Sequence, residues 1–334
     1  MKFGGTSVGL PHRMHQVARL VTKDDSAKIV VLSALSGTTN ALVNIGDAMA
    51  RRDKEDARLQ IEALKQHYLE FYPELLKTEQ ARTEALEVIE EHFEFLSILL
   101  KISFNEAINR DILAQGELLS TKLFTIYLKE VEIPAVLLPA LDFMSIDENH
   151  EPELAKISEK LKAIIANYPD DKLFVTQGYI CKNSKNEVDN LKRGGSDYTA
   201  SLIGAAIDAE VVEIWTDIDG MHNNDPRIVK QTKPIAQLSF DEAAELAYFG
   251  AKILHPASIW PAQKANIPVK LLNTMQPEAA GTTITAEETG AGVKAIAAKD
   301  GITAVKIKSS RMLLAYGFMR QIFEIFEKYK TSVD

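Results

Sequence analysis

Two glycine pairs each stand beside a strong cation. Lys2-Phe3-Gly4-Gly5-Thr6-Ser7 sets its pair after a would-be strand, where bare backbone N–H groups can approach an anion and Lys2 adds a point charge. The segment is not a Walker loop, because G-x-x-x-x-G-K-[ST] is absent. Alone it reads as a turn. Far along the chain, Lys192-Arg193-Gly194-Gly195-Ser196-Asp197-Tyr198-Thr199 runs into the apolar stretch Ala200 to Ile207. Ser196 or Asp197 is expected to cap that helix, with the glycines exposing its first amides. Arg193 there makes an anion receptor, since its planar fork pairs carboxylates and phosphates in bidentate fashion. An ordinary capped helix after a glycine loop is the plainer alternative.

Carboxylates and further cations follow. Trp215-Thr216-Asp217-Ile218-Asp219-Gly220 ends a strand-like run, which delivers Thr216 and Asp217 to the edge where open α/β sheets bind ligands. Asp219-Gly220 and Asp225-Pro226 are also turn pairs, the latter leading to Arg227. His222-Asn223-Asn224-Asp225 matches no zinc or calcium spacing. Lys252 follows a helix expected over Asp241 to Phe249, where a solvated lysine is the bland reading, and His255-Pro256 reads as a turn. Glu117 interrupts an apolar helix and is expected to be semi-buried, facing a pocket if the ligand carries an ammonium. Neither a Ser–His–Asp nor a Cys–His arrangement stands out, and Cys181 has no motif around it. Glycine loops, cations and strand-end carboxylates are equipment for positioning and neutralising phosphates, where catalysis is mostly geometric and electrostatic.

Positioning such groups takes a framework, and the sequence alternates short apolar runs with amphipathic stretches. Strands are expected at Ile29–Leu32, Ala135–Leu138, Leu173–Val175, Val211–Trp215 and Val269–Leu272. Helices are expected at about 55–77 and 81–101, broken near Tyr72-Pro73, and around Ile108, Ile112, Gly116, Leu119, Leu123 and Ile126. The alternation predicts a three-layer α/β/α sandwich with a mostly parallel sheet. Thr282 to Gly292 reads as a linker, followed by a strand at Ile302–Ile307 and a helix over Leu314–Tyr329. That pair is too small to fold alone. The division expected is therefore 1–290 for a catalytic domain and 291–334 for a linker with the start of a second, α+β domain.

Composition sets bounds on partners. The 334 residues are 46% hydrophobic and 25% charged, ordinary for a globular protein. A net charge of −9 argues against a nucleic-acid partner. The lack of a long apolar run argues against a membrane span or signal peptide. A single cysteine fits a reducing cytoplasm.

Taken in order, the segments resemble the aspartokinases of the amino-acid kinase superfamily. The matching stretches are Lys2 to Val8, Val31-Leu32-Ser33-Ala34 with Thr39-Asn40, Gly116-Glu117-Leu118-Leu119-Ser120, Arg193 to Tyr198, Ile214 to Asp217, Asp225-Pro226-Arg227 and Phe249 to Pro256. The resemblance implies transfer of the γ-phosphoryl of MgATP, with Mg2+ as cofactor, to the side-chain carboxylate of L-aspartate. By that analogy Lys2 with the amides of Gly4 and Gly5 neutralises the phosphoryl in flight, Gly194 and Gly195 complete a phosphate loop, and Asp197 orders Lys2. Arg193 would grip the α-carboxylate and Glu117 the ammonium, with Ser33, Thr39 and Ser196 lining the pocket. Thr216, Asp217, His222, Arg227 and Lys252 fall at nucleotide-binding positions, His222 standing where relatives carry Tyr. Residues 302–334 resemble the start of an ACT regulatory domain. Met312, Gly317, Phe318, Ser332, Val333 and Asp334 are similar to the effector positions of lysine-sensitive, single-function members. An amino-acid effector, lysine foremost, and a homodimer are implied for a chain with the complete regulatory region. The sequence reads as trimmed at both ends. A kinase acting on glutamate or uridylate is the nearest enzymatic alternative, disfavoured by the contexts of Arg193 and Glu117. A catalytically silent amino-acid sensor is another, disfavoured by the retention of Lys2, Asp197 and Lys252.

Overall fold

The computed structural model describes all residues except 193, 250–253, 289, 291, 299–300, 309–315, 332 and 334. In chain order the elements are β1 (Lys2–Phe3), α1 (Gly5–Val8), α2 (Pro11–Val21), β2 (Lys28–Leu32), α3 (Thr38–Ala50), α4 (Lys54–Leu75), α5 (Glu79–Leu99), α6 (Glu106–Glu130), β3 (Val136–Leu138), α7 (Ala140–Phe143) and α8 (Leu154–Ile165). They continue with β4 (Leu173–Gln177), β5 (Ile180–Lys182), β6 (Val188–Asn190), α9 (Gly195–Ile207), β7 (Val212–Thr216), β8 (Gln237–Ser239), α10 (Phe240–Phe249), α11 (Trp260–Lys264), β9 (Val269–Asn273), β10 (Thr282–Thr285) and α12 (Phe318–Lys328). Among the described residues no helix is long and apolar enough to cross a membrane.

Eight strands form one sheet in the order β3-β4-β2-β1-β7-β9-β10-β8. The first six run parallel, and β10 with β8 runs against them. β5 and β6 make a separate antiparallel hairpin. Side-chain alternation feeds two cores. On one face Phe3, Val30, Leu32, Val175 and Trp215 pack with α2 to α6. On the other, Val31, Phe174, Ile214, Val269 and Leu271 pack with α8 to α11. The expected three-layer sandwich is the observed one.

Expected and observed elements differ at three places. Thr282–Thr285 is not linker but β10, hydrogen-bonded between β9 and β8; its Thr-rich sequence hides a strand in which only Ile284 carries a large apolar side chain into the core. Ile302–Ile307 forms no strand and stays exposed, because the described part of its unit offers no second strand to pair with. Pro73 lies inside the last turn of α4 rather than at its break. Two compact units emerge, Met1–Ala298 and Lys299–Asp334.

Candidate active site

β1 is the geometric origin of the site. It lies between β2 and β7 with Lys2 in register with Val31 and Ile214, so Lys2 shares the face on which α9 packs. Phe3 points the other way and stacks on Trp215 with ring centroids 5.7 Å apart. The chain leaves β2 toward one side of β1 and later returns to the other through β7. That reversal is where open α/β sheets form a ligand crevice beyond their strand ends.

Lys2 reaches across this crevice to α9. Its Nζ lies 2.7 Å from Asp197 Oδ1, with the two side chains 11% and 17% exposed. Asp197 sits in the first turn of α9, where the helix dipole favours a carboxylate. Neither Ser196 nor Asp197 is the cap expected from the sequence. Gly194 holds that position at φ +69°, no side chain caps it, and Gly195 follows at φ +51°. Both values suit glycine. A Cβ on Gly194 would also meet Ser258 Cβ at 2.5 Å. Freed from capping, Ser196 accepts a 2.9 Å hydrogen bond from the Ser33 hydroxyl at the end of β2, and Asp197 turns to Lys2.

The β1 turn is held just as closely. Gly4 lies beside the ammonium, since a Cβ there would stand 3.3 Å from Lys2 Nζ. Gly5 backs onto the Ala34 carbonyl, which a Cβ would meet at 2.9 Å. Ala34 in turn donates its amide to Glu117 Oε1 at 3.4 Å. Gly116 lets α6 approach this closely, because a Cβ there would press on Ala34 Cβ at 2.8 Å. Glu117 is more buried than expected, at 4% exposure. Burial pushes its carboxyl from 4.5 up to about 7, against the pull of the Ala34 amide. A carboxyl in that state gains its charge readily when a cation arrives.

Two residues the sequence reading missed belong to the same crevice. Gly178 follows β4 where a Cβ would collide with the Ser196 side chain and come within 2.9 Å of its Cα. Tyr179 adopts φ +67°, an outlier for an aromatic residue, fixed by an amide hydrogen bond to Thr199 Oγ1 and a carbonyl accepting from Leu191 N. Burial first, then Glu117, Asp189 and Cys181, push its phenol up to about 12. A glycine immediately after a strand run was the available signal.

Other expected residues make separate contacts or fall outside the described residues. Thr39 is exposed on α3 and makes no side-chain hydrogen bond among the described residues; its neighbour Thr38 is the buried one, bonded to Tyr68. Thr216 ends β7 and donates to Asp217 Oδ1 at 3.2 Å. Arg227 is exposed and gripped by Asp225 through Nε and Nη2. His222 has both ring nitrogens engaged within its own loop. His255 is the expected turn residue, its Nδ1 accepting from Ala257 N. Arg193, Lys252, Met312, Ser332 and Asp334 lie outside the described residues. Gly317 caps α12 at φ +79°, Phe318 begins that helix, and Val333 is exposed, all in the smaller unit.

Comparison with known proteins identifies the family. The model of the amino acid kinase family matches residues 1–273. The chain is 34% identical over its whole length to lysine-sensitive aspartokinase 3 of Escherichia coli, spanning 74% of that enzyme. It is 35% identical to chloroplastic aspartokinase 3 of Arabidopsis thaliana, spanning only 61% of it. Among solved structures, E. coli aspartokinase III in complex with aspartate and ADP superposes with a TM-score of 0.85 at 31% identity, covering all of this chain and 74% of that one. The same enzyme with lysine and aspartate gives 0.79 at 30% identity and 75% coverage. The chain belongs to the amino acid kinase family, among its aspartokinases.

Proposed function

We propose that the chain transfers the γ-phosphoryl of MgATP to the side-chain carboxylate of L-aspartate, giving 4-phospho-L-aspartate and ADP. The observation that carries this reading is Lys2, held by Asp197 at the end of the central strand between two glycine turns. Aspartate and ADP in the superposed E. coli structure support it. A carboxylate of pKa ~3.9 is already ionised at neutral pH, so the reaction needs no general base. An oxygen of that carboxylate attacks the γ-phosphorus as the bond to the β-phosphate oxygen breaks, and ADP leaves with those electrons. The obstacle is bringing one anion against another.

The chain's own groups answer that obstacle. Lys2 and the Gly4–Gly5 and Gly194–Gly195 turns would meet the transferring phosphoryl, and Asp197 keeps the ammonium aimed. Glu117 would receive the substrate ammonium and Arg193 its α-carboxylate, with Ser33, Ser196 and Thr39 around them. Thr216, Asp217, Arg227 and Lys252 would attend the nucleotide. Among the described residues no three His, Cys, Asp or Glu side chains converge as a metal cage. Mg2+ keeps several waters and takes one or two carboxylates besides phosphate oxygens, so its site needs no such cage. Asp217, exposed at the end of β7, is the carboxylate that answers to it. The ion, when bound, would neutralise phosphate charge.

Wider roles form part of the same proposal. Residues 1–290 would be the catalytic domain, and 291–334 a linker and the start of an ACT domain. Lysine in the second E. coli structure supports an amino-acid effector for a chain with the full regulatory region. A homodimer, a cytoplasmic setting and a place at the entry to lysine, threonine and methionine synthesis complete the reading. The test is aspartyl hydroxamate formation with MgATP and hydroxylamine, comparing L-aspartate with L-glutamate. Aspartate-dependent product is expected. Product from glutamate alone, or from neither on a chain extended at both ends, overturns the proposal.

A further inference from the structure

The loop between β7 and β8 is tied at its base by a single imidazole. His222 Nε2 lies 2.7 Å from Asp219 Oδ1, and Nδ1 lies 2.7 Å from Thr232 Oγ1. A carboxylate only accepts, so Nε2 carries a proton and donates to Asp219, while Nδ1 shares its hydrogen bond with the threonine hydroxyl. The side chain is 12% exposed. Asp219 stands two residues after Asp217, and Thr232 lies on the returning limb, so the ring joins the departure of the loop to its return. Backbone bonds continue the same seam. Asn223 N donates to Lys233 O at 3.0 Å, Lys233 N to Asn223 Oδ1 at 2.9 Å, and Ile235 N to Met221 O at 2.7 Å. Met221 N in turn donates to Thr282 Oγ1 on β10 at 2.8 Å, which anchors the seam to the sheet. Beyond it, the tip carries the Asp225–Arg227 pair.

We infer that His222 is a positioning residue: with Asp219 and Thr232 it clasps this loop, so that Asp217 on one limb and Arg227 at the tip are set before the nucleotide arrives. The inference rests on the proposed MgATP site only for its catalytic consequence. It gives His222, which the resemblance puts at a nucleotide-binding position, a role within the loop itself, where both ring nitrogens are engaged. A phenol at this position would offer its donor and acceptor at a single oxygen, whereas the imidazole holds its two partners on separate ring atoms.

Thr232 makes the test sharp, because it acts through His222. Amide hydrogen exchange of residues 219–235 is measured on the whole chain without nucleotide, for wild type, His222→Phe, Thr232→Val, Thr232→Ser and the double variant His222→Phe/Thr232→Val. KM for MgATP, KM for aspartate and kcat are measured alongside. Both single variants are expected to speed exchange at Asn223, Lys233 and Ile235, and to raise KM for MgATP about fivefold, as loss of one buried hydrogen bond would. KM for aspartate stays put, Thr232→Ser restores wild-type values, and the double variant is no worse than His222→Phe. Unchanged exchange in Thr232→Val overturns the clasp. So does a rise in KM confined to His222→Phe, which would mark direct contact with the nucleotide. Faster exchange in a chain inert toward aspartate supports the clasp and counts against the proposed reaction instead.

Discussion

Lys2 carries its charge into a crevice where one carboxylate steadies it and two glycine turns leave room for phosphate. Lys2→Ala is expected to lower kcat by roughly a factor of 10² to 10³ or more, as removal of a group aimed at developing charge does. Aspartate binding, followed by calorimetry, should persist in that variant, and a normal rate would sink the assigned role. Glu117 gives the second expectation. Its folded-state pKa of about 7 lies above the ordinary 4.5. Between those values the folded protein binds a proton that the unfolded chain has lost, so this group's stabilising share is whole below 4.5 and gone as pH rises through 7. Glu117→Gln should therefore flatten the fall in thermal stability over that window. If its ionised form meets the substrate ammonium, aspartate binding near pH 6.5 releases a proton in wild type and none in Glu117→Gln. Titrations in buffers of different ionisation enthalpy read that directly. The sequence exposed the identities of these residues and their order, and the resemblance rested on both. Local pattern went only as far as a semi-buried Glu117 and a capping role for Asp197; the near-complete burial of the one and the turn of the other to Lys2 depend on partners far along the chain.

Elements enter through the loops at their carboxyl ends. Gly178 is the contact between the end of β4 and the first turn of α9. Gly178→Ala forces Ser196 or the strand end aside, at a cost of about 1–3 kcal/mol for overpacking. A lower melting temperature and a raised KM for aspartate should appear together; a variant that melts lower with unchanged KM would place Ser196 outside the pocket. The long apolar runs were legible because both faces of a central parallel strand are covered, and β2, β4, β7 and β9 all lie where such runs stand. The far edge was not. β8 and β10 are short, mostly polar strands, and Gln237-Leu238-Ser239 has no pattern separating it from a turn. The helices α4 and α5 lie within a few residues of the expected 55–77 and 81–101, and the structure shows side-chain caps at Asp53 and Thr78 beginning them.

At the scale of the molecule, the unit Met1–Ala298 contains both hydrophobic cores and the whole eight-stranded sheet. A chain ending at Ala298 is expected to melt cooperatively within a few degrees of the longer one, as a unit with its own core does. A loss of cooperativity would mean that residues 299–334 complete the larger core. The central place of β1 carries a further consequence, for how the protein is made. The slot for β1 has one wall from β2, synthesised soon afterwards, and another from β7, which leaves the ribosome only after half of the sheet's strands. The hydroxyl bridge between Ser33 and Ser196 likewise joins positions 163 residues apart. Contacts of such separation form slowly. The lysine of β1 thus waits for a carboxylate translated long after it, and the nascent chain carries no working centre until the second half of the sheet has docked.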